Sequence, residues 1–220
     1  DIYFEYLTTT SVSIDEGIVK SAGQGVSMGA GVRVVDGERT GYAYSGDLSP
    51  EKIRKAAKVA ACIASGPSQV KSAGLAEQPV HNLYLLRTAP SETGLAERVE
   101  LVKRADHAAR GYDRRVFQVQ ASYGDSLRHV LIASSDGAVC ADRQPLTRLG
   151  VAVLAREGDG PPQRGYSGGG GRVGLDFFLE QKTPEYFARE AARQAVVQLD
   201  AAPAPAGEMT VVLGPGWPGI

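Results

Sequence analysis

The run Val26-Ser27-Met28-Gly29-Ala30-Gly31-Val32-Arg33-Val34 alternates apolar residues with small or polar ones. A period of two puts Val26, Met28, Ala30, Val32 and Val34 on one face of a strand, with Ser27, Gly29, Gly31 and Arg33 on the other. Asp36-Gly37 follows at once; both residues tolerate positive φ and close a tight turn. Thr40 to Tyr44 then returns as the partner strand, and the first 45 residues as a whole read as antiparallel strands. A helix comes next. Ser49 can cap free backbone N–H groups and Pro50 suits the first helical position. Ile53, Ala56, Ala57, Ala60 and Ile63 recur at helical spacing, and Gly66-Pro67 ends the pattern.

Working outward, residues 68–90 read as a loop with one short strand, Leu83 to Leu86. A second helix carries Leu95, Val99, Val102 and Ala109 on one face. A meander follows: Val116–Tyr123, Leu127–Ala133, Ala138–Ala141 and Leu149–Ala155, with turns expected at Gly124-Asp125, Asp136-Gly137 and Pro145. Glu157 to Gly160 turns into one more strand near Gly165–Val173. Thr183-Pro184-Glu185 repeats the cap chemistry of Ser49-Pro50-Glu51 and opens a helix burying Phe187, Ala191, Ala195 and Leu199. Strands grouped together, with helices set apart from them, give an α+β fold: meander-rich antiparallel sheets packed with about three helices in two sub-lobes. The expected boundaries are an N-terminal lobe over 1–66, a connecting loop over 67–92, a second lobe over 93–202, and a linker and first strand of a further domain over 203–220. Met209 to Leu213 reads as that strand, and the Gly-Pro-Gly-Trp-Pro-Gly turn after it suggests that the natural chain continues past Ile220.

Composition excludes some classes. The formal net charge of −1 gives no electrostatic argument for nucleic acid or for an anionic membrane. No run approaches the ~18 apolar residues of a membrane span. Cys62 and Cys140 lack metal-type spacing and read as buried, reduced thiols. The 27 glycines favour turns and β-structure over a helix bundle.

Candidate chemistry is sparse. His81, His107 and His129 fall on a loop, a helix and a strand, and no pair has the i, i+4 spacing that lets two imidazoles share a metal. Asp15-Glu16 and Asp36 with Glu38 read as solvated turn residues. The most suggestive stretch is Gly168-Gly169-Gly170-Gly171, flanked by Arg164 and Arg172. A phosphate loop would need a Lys-Ser/Thr pair opening a helix, and Arg172-Val173 stands there instead. A flexible turn remains, or a segment bordering a peptide path, where missing side chains leave room for an extended chain. Trp217 reads as a packing anchor.

Several stretches resemble the TldD/PmbA metalloprotease family, also called modulators of DNA gyrase, and its TldD branch in particular. They are Pro205-Ala206-Gly207 with Val211-Val212-Leu213-Gly214 and Gly216-Trp217-Pro218-Gly219; Arg164-Gly165 with Ser167 to Arg172 and Phe177-Phe178; Ser135-Asp136-Gly137; Arg143 with Pro145-Leu146 and Arg148-Leu149; and Gly41-Tyr42-Ala43-Tyr44. The likeness covers nearly the whole chain. It implies a cytoplasmic zinc metallopeptidase acting on unfolded peptides and small proteins and paired with a related PmbA/TldE subunit, with no direct nucleic-acid or membrane contact. In the family a His-Glu-x-x-x-His helix follows the Trp-Pro-Gly turn. The zinc ligands are therefore expected beyond Ile220, with none in these residues, and the segment alone is expected to be inactive. The resemblance leaves a second possibility, a non-catalytic scaffold of the PmbA type or a gyrase-modulating protein. A nucleotide-binding protein using the glycine run is a third.

Overall fold

The computed structural model describes residues 1–64, 74–79, 83, 86–212 and 214. Seven strands form one sheet: β1 (Ile2–Asp15), β2 (Ile18–Asp36), β3 (Arg39–Ser45), β4 (Ala76–Glu77), β5 (Val116–Ala133), β6 (Ala138–Ala155) and β7 (Gln163–Gly171). Their order is β3-β2-β1-β5-β6-β4, with β7 also on β6. Every pairing is antiparallel except the two-residue β4–β6 contact. The hairpin turns carry the expected residues: Glu16 and Gly17 at φ 53° and 73°, Gly37 at 60°, and Gly137 at 96°.

Three helices, α1 (Pro50–Ala64), α2 (Leu95–Arg110) and α3 (Pro184–Leu199), pack on one face of this sheet. The register shows why. Val12, Tyr123, Leu149 and Gly169 lie in one cross-strand row, and Ile14, Ala121 and Val151 in the next, so the inward residues of β1, β5 and β6 share a face. That face meets Leu101, Val102, Ala105, Phe178, Phe187, Ala188 and Ala191 in the main core. A smaller cluster of Val32, Ala56 and Ala60, with Ile2, Val34, Ala43 and Ala57 against it, seats α1 on β2 and β3. Two glycines permit the close approach of helix to sheet. A Cβ on Gly41 would stand 1.8 Å from the Ala60 carbonyl oxygen, and one on Gly165 would stand 1.9 Å from that of Ala191. The Thr183 hydroxyl accepts a hydrogen bond from the Tyr186 N–H, capping α3 as its sequence indicates.

The fold class is the α+β arrangement expected, but several local expectations fail for definable reasons. β5 runs unbroken through Gly124-Asp125, because Asp125 is buried in an ion pair instead of standing in a turn. β6 runs unbroken through Pro145, which sits opposite Leu127 on β5. On its other side β6 meets β4 at 138–139 and β7 only from Thr147, so the N–H that proline lacks falls on an unpaired stretch of edge. Of the strand expected over Leu83–Leu86 only Leu83 and Leu86 are among the described residues, and neither is in a strand; the short strand described in this region is β4. Residues 201–212 have no regular structure, and Met209, Val211 and Val212 are exposed without a ladder partner, so the strand expected there is absent over its described part. Both cysteines are reduced, and Cys62 is exposed, not buried. His81, Gly66-Pro67 and Trp217 lie outside the described residues.

Candidate functional site

The glycine run lies in β7, not in a loop. Gly168 to Gly171 pair with Gly150, Leu149, Arg148 and Thr147 of β6 in turn. Three of the four are fixed by neighbours. A Cβ on Gly168 would come within 2.6 Å of the Leu149 carbonyl oxygen; on Gly169, within 2.8 Å of the Phe187 ring; on Gly170, within 2.0 Å of the Thr147 carbonyl oxygen. Gly170 also has φ 147°, which L side chains rarely adopt. Beyond Gly171 nothing lies within 4 Å of a Cβ. Gly169 therefore makes room for the core aromatic cluster, in which Phe187 meets Phe178 edge-on.

Among the described residues, the opposite face of the sheet carries no helix. Gly168, Gly170, Tyr166 and Arg164 point there, in rows with Gly150, Arg148, Ala152 and Leu154 of β6 and Gln118, Gln120, Ser122 and Gly124 of β5. Apart from Leu154 these residues are small or polar. A depression of about 360 Å³ lies among Asp15, Lys20, Ser122, Gly150 and Tyr166, and one of about 250 Å³ among Gln118, Gln120, Ala152, Leu154 and Arg164. Gln118 and Gln120 donate their side-chain amides to Asp15 at 3.2 and 3.4 Å. The Gln118 hydrogen bond, against a desolvation cost and helped by Gln120 and Lys20, holds Asp15 below the ordinary carboxylate range. Arg148 donates to the Tyr166 hydroxyl at 3.2 Å. Arg164 and Arg172 are both exposed at opposite ends of this strand, eight residues apart in the chain. The arrangement offers backbone, amide and guanidinium donors on an open surface. It holds no nucleophile–base pair.

A buried polar centre escaped the sequence reading. Arg98 is enclosed, its side chain 2% exposed against 3% for its partner Asp125, and its Nε donates to the carboxylate at 2.5 Å. Its two terminal nitrogens donate to the carbonyls of Thr93 and Pro90. One guanidinium thus ties α2 to β5 and to the short 3-10 turn at Pro90–Glu92. Burial, with the Asp125 charge beside it, pushes the Tyr123 phenol well above its usual value. The signal was present: Arg98 falls three residues after Leu95 and four before Val102, on the apolar stripe of α2. On the outer side of the helix pair, Arg104 grips Glu185 through two hydrogen bonds of 2.7 and 3.0 Å.

Among the described residues, no three His, Cys, Asp or Glu side chains come together to hold a metal ion. His107 lies on α2 and His129 on β5, where it meets Tyr6 edge-on at 6.3 Å. A metal centre does not fit these residues, and none of their chemistry is routed through one. No described helix is long and apolar enough to cross a membrane.

A single antiparallel sheet with helices on one face, and a glycine-filled edge strand on the other flank, defines an α+β domain with an open polar surface. The particular relationship comes from comparison. Residues 1–64 match the PmbA/TldA metallopeptidase domain 1, and residues 88–199 match the PmbA/TldA metallopeptidase central domain. The chain belongs to this PmbA/TldD metallopeptidase family. It is 40% identical to the metalloprotease TldD homolog of Haemophilus influenzae over 100% of this chain and 47% of that protein. It is 29% identical to the metalloprotease PmbA of Escherichia coli O157:H7 over 87% of this chain and 42% of that one. A crystal structure of a putative modulator of a DNA gyrase from Thermotoga maritima superposes with a TM-score of 0.72 at 19% identity, over 94% of this chain and 46% of that one. TldE from Thermococcus kodakarensis shares the fold, with a TM-score of 0.60 at 16% identity over 90% of this chain and 43% of that one. The chain spans a little under half the length of the curated relatives it matches.

Proposed function

We propose that this chain is the N-terminal region of a cytoplasmic zinc metallopeptidase that cleaves unfolded or flexible peptides. The observation that carries the reading is the 40% identity, along the entire chain, to a protein named metalloprotease TldD homolog. The metal ligands and the general base would come from a His-Glu-x-x-x-His helix of the kind the family resemblance implies, outside these residues. A metal there would make a bound water acidic enough to attack a peptide bond near neutral pH. The residues in hand supply shape and contacts. Arg164, the glycines 168–171 and Arg172 border the path of an extended substrate on the face away from the described helices, with the Tyr166 hydroxyl over Gly168 and Gly150. A related subunit of the PmbA/TldE kind is the assembly partner. The scaffold reading is weaker, because identity falls to 29% for the PmbA relative.

The test is proteolysis by the full-length protein together with its related subunit. An unstructured peptide should be cut, the cutting should stop with a chelator and return with zinc, and residues 1–220 alone should not cut. Full-length protein that never cleaves, with or without zinc, supports the scaffold instead. Chelator-sensitive cleavage by residues 1–220 alone overturns the placement of the site.

A further inference from the structure

The sheet repeats itself about a two-fold. Tyr3 of β1 faces Gly31 of β2 as Ser122 of β5 faces Gly150 of β6. Gly31-Val32-Arg33-Val34 then corresponds to Gly150-Val151-Ala152-Val153. Gly41-Tyr42 of β3 corresponds to Gly165-Tyr166 of β7, since Tyr42 faces Arg33 and Tyr166 faces Ala152. The contacts correspond too. A Cβ on Gly31 would strike the Tyr42 hydroxyl, and one on Gly150 that of Tyr166. Gly41 lets α1 approach the sheet as Gly165 lets α3, and the two helices open on Ser49-Pro50-Glu51 and Thr183-Pro184-Glu185. β1-β2-β3-α1 and β5-β6-β7-α3 are therefore two versions of one unit, joined where β1 pairs with β5. The axis passes between Thr8 and Leu127, which face each other.

α2 has no counterpart among the described residues. It packs against α3 and over β5 and β1. There Val12 faces Tyr123 and Ile14 faces Ala121, all four at most 3% exposed. The two-fold carries these pairs onto Leu131 with Phe4 and Ala133 with Ile2. Cover is lost at the axis: along β5 Tyr123, Asp125 and Leu127 are buried, and His129 and Leu131 are exposed. Phe4, Tyr6, Leu48, His129, Leu131 and Arg143 line a depression of about 500 Å³, with Tyr6 at 41% exposure and Leu131 at 38%. Its polarity is the reverse of the α2 seat. The two-fold puts Tyr6 where Asp125 receives Arg98; His129 faces Tyr6, and Arg143 faces His129. The nearby carboxylates, Glu5 and Asp142, alternate onto the other face.

We propose that a helix of the full-length polypeptide, outside residues 1–220 and set ahead of β1 as α2 is set ahead of β5, fills this second seat. Its apolar stripe lies on Phe4 and Leu131 and carries a carboxylate toward His129 and Arg143, the inverse of the Arg98–Asp125 contact. α2, its counterpart, has 16 residues, and the relatives have more than half their length outside the match, which is ample for such a helix. The helix completes the two-fold and closes the apolar face of β1 and β5. The proposal is independent of the peptidase reading.

The test uses the full-length protein with Tyr6 replaced by the photo-crosslinker benzoylphenylalanine. Irradiation should join this position to a peptide that precedes Asp1, identified by mass spectrometry. In a second protein, with Cys62→Ser and Cys140→Ser, Leu131→Cys should react with a maleimide at least ~10-fold more slowly in the native state than in urea. Adding Arg143→Glu sets like charges against each other in the seat and should speed the native reaction at least ~10-fold. A native rate equal to the rate in urea overturns the proposal, because the seat is then open. So does a cross-link to residues 65–87, to residues beyond Ile220 or to the related subunit, since another occupant then fills it. Absence of any cross-link overturns it as well. A rate that Arg143→Glu leaves unchanged overturns the placement of the carboxylate.

Discussion

Arg98→Met is the most demanding test of how this fold is held. The substitution keeps an unbranched apolar stem on α2 and removes the guanidinium. It leaves the Asp125 carboxylate, 3% exposed, without its cation, and strips the donors from the Thr93 and Pro90 carbonyls. Breaking a buried pair by removing one partner costs about 3–5 kcal/mol, most of it from the stranded charge. For a domain of this size each kcal/mol moves the midpoint by roughly 2–4 °C, so the expected fall is roughly 6–20 °C. Urea unfolding followed by far-UV circular dichroism gives the free energy directly. Asp125→Leu in the Arg98→Met background should restore part of the loss, because no lone charge then stays buried. The reasoning is refuted if Arg98→Met costs under about 1 kcal/mol, or if the two single losses simply add in the double variant.

The other predictions concern the glycines, the helix pair and pH. Gly165→Val should cost at least about 1–3 kcal/mol, or prevent folding, because its Cβ would sit 1.9 Å from the Ala191 carbonyl oxygen, whereas Gly124→Ala, with only the Thr10 carbonyl oxygen at 3.8 Å, should change stability by under about 1 kcal/mol; chemical denaturation of both checks this. Gly169→Val with Gly170→Val should lose the native circular dichroism spectrum before any question of activity arises, since the two positions face the Phe187 ring and the Thr147 carbonyl. Arg104 holds Glu185 down to about 2, so its contribution is present above the unfolded value of 4.5 and fades as pH falls through the window between them. Both side chains are about a third exposed, so the share is small, and melts at pH 6 and pH 2.5 should show Glu185→Gln losing less than wild type over that interval.

Much of the fold was legible because its signals are local. Period two in β2, the Asp36-Gly37 and Asp136-Gly137 turns, and Ser/Thr-Pro-Glu at two helix starts each depend on a few adjacent residues, and each appears where the pattern puts it. What misled was chemistry whose meaning is set from far away. Gly124-Asp125 carries a turn signature, but Asp125 is claimed by a side chain 27 residues earlier, and that contact outweighs the local preference. Pro145 reads as a break only if both sides of its strand are paired; here β7 begins to pair at Thr147 and the missing N–H costs nothing. Arg98, a charge on an apolar stripe, looks like an exception until its partners are known.

The candidate site shows the same limit more sharply. Four consecutive glycines are a single letter repeated, and sequence gives them one meaning: freedom. The sheet gives them different ones. Gly169 yields its volume to Phe187 on the helix side, while Gly168 and Gly170 face the open side and let β6 backbone come close. Gly171 alone has open space around it. A role at a substrate path therefore cannot be tested by adding bulk at Gly168, Gly169 or Gly170, since each addition strikes the fold first. The exposed positions at the ends of the strand, Arg164 and Arg172, can be altered without adding bulk. Removing charge there, with Arg164→Gln or Arg172→Gln, should leave the melting midpoint in place. Lower peptide turnover by the full-length enzyme with unchanged zinc content would then assign this strand to the path. Turnover equal to wild type in both variants would leave the glycines with the packing role their contacts describe.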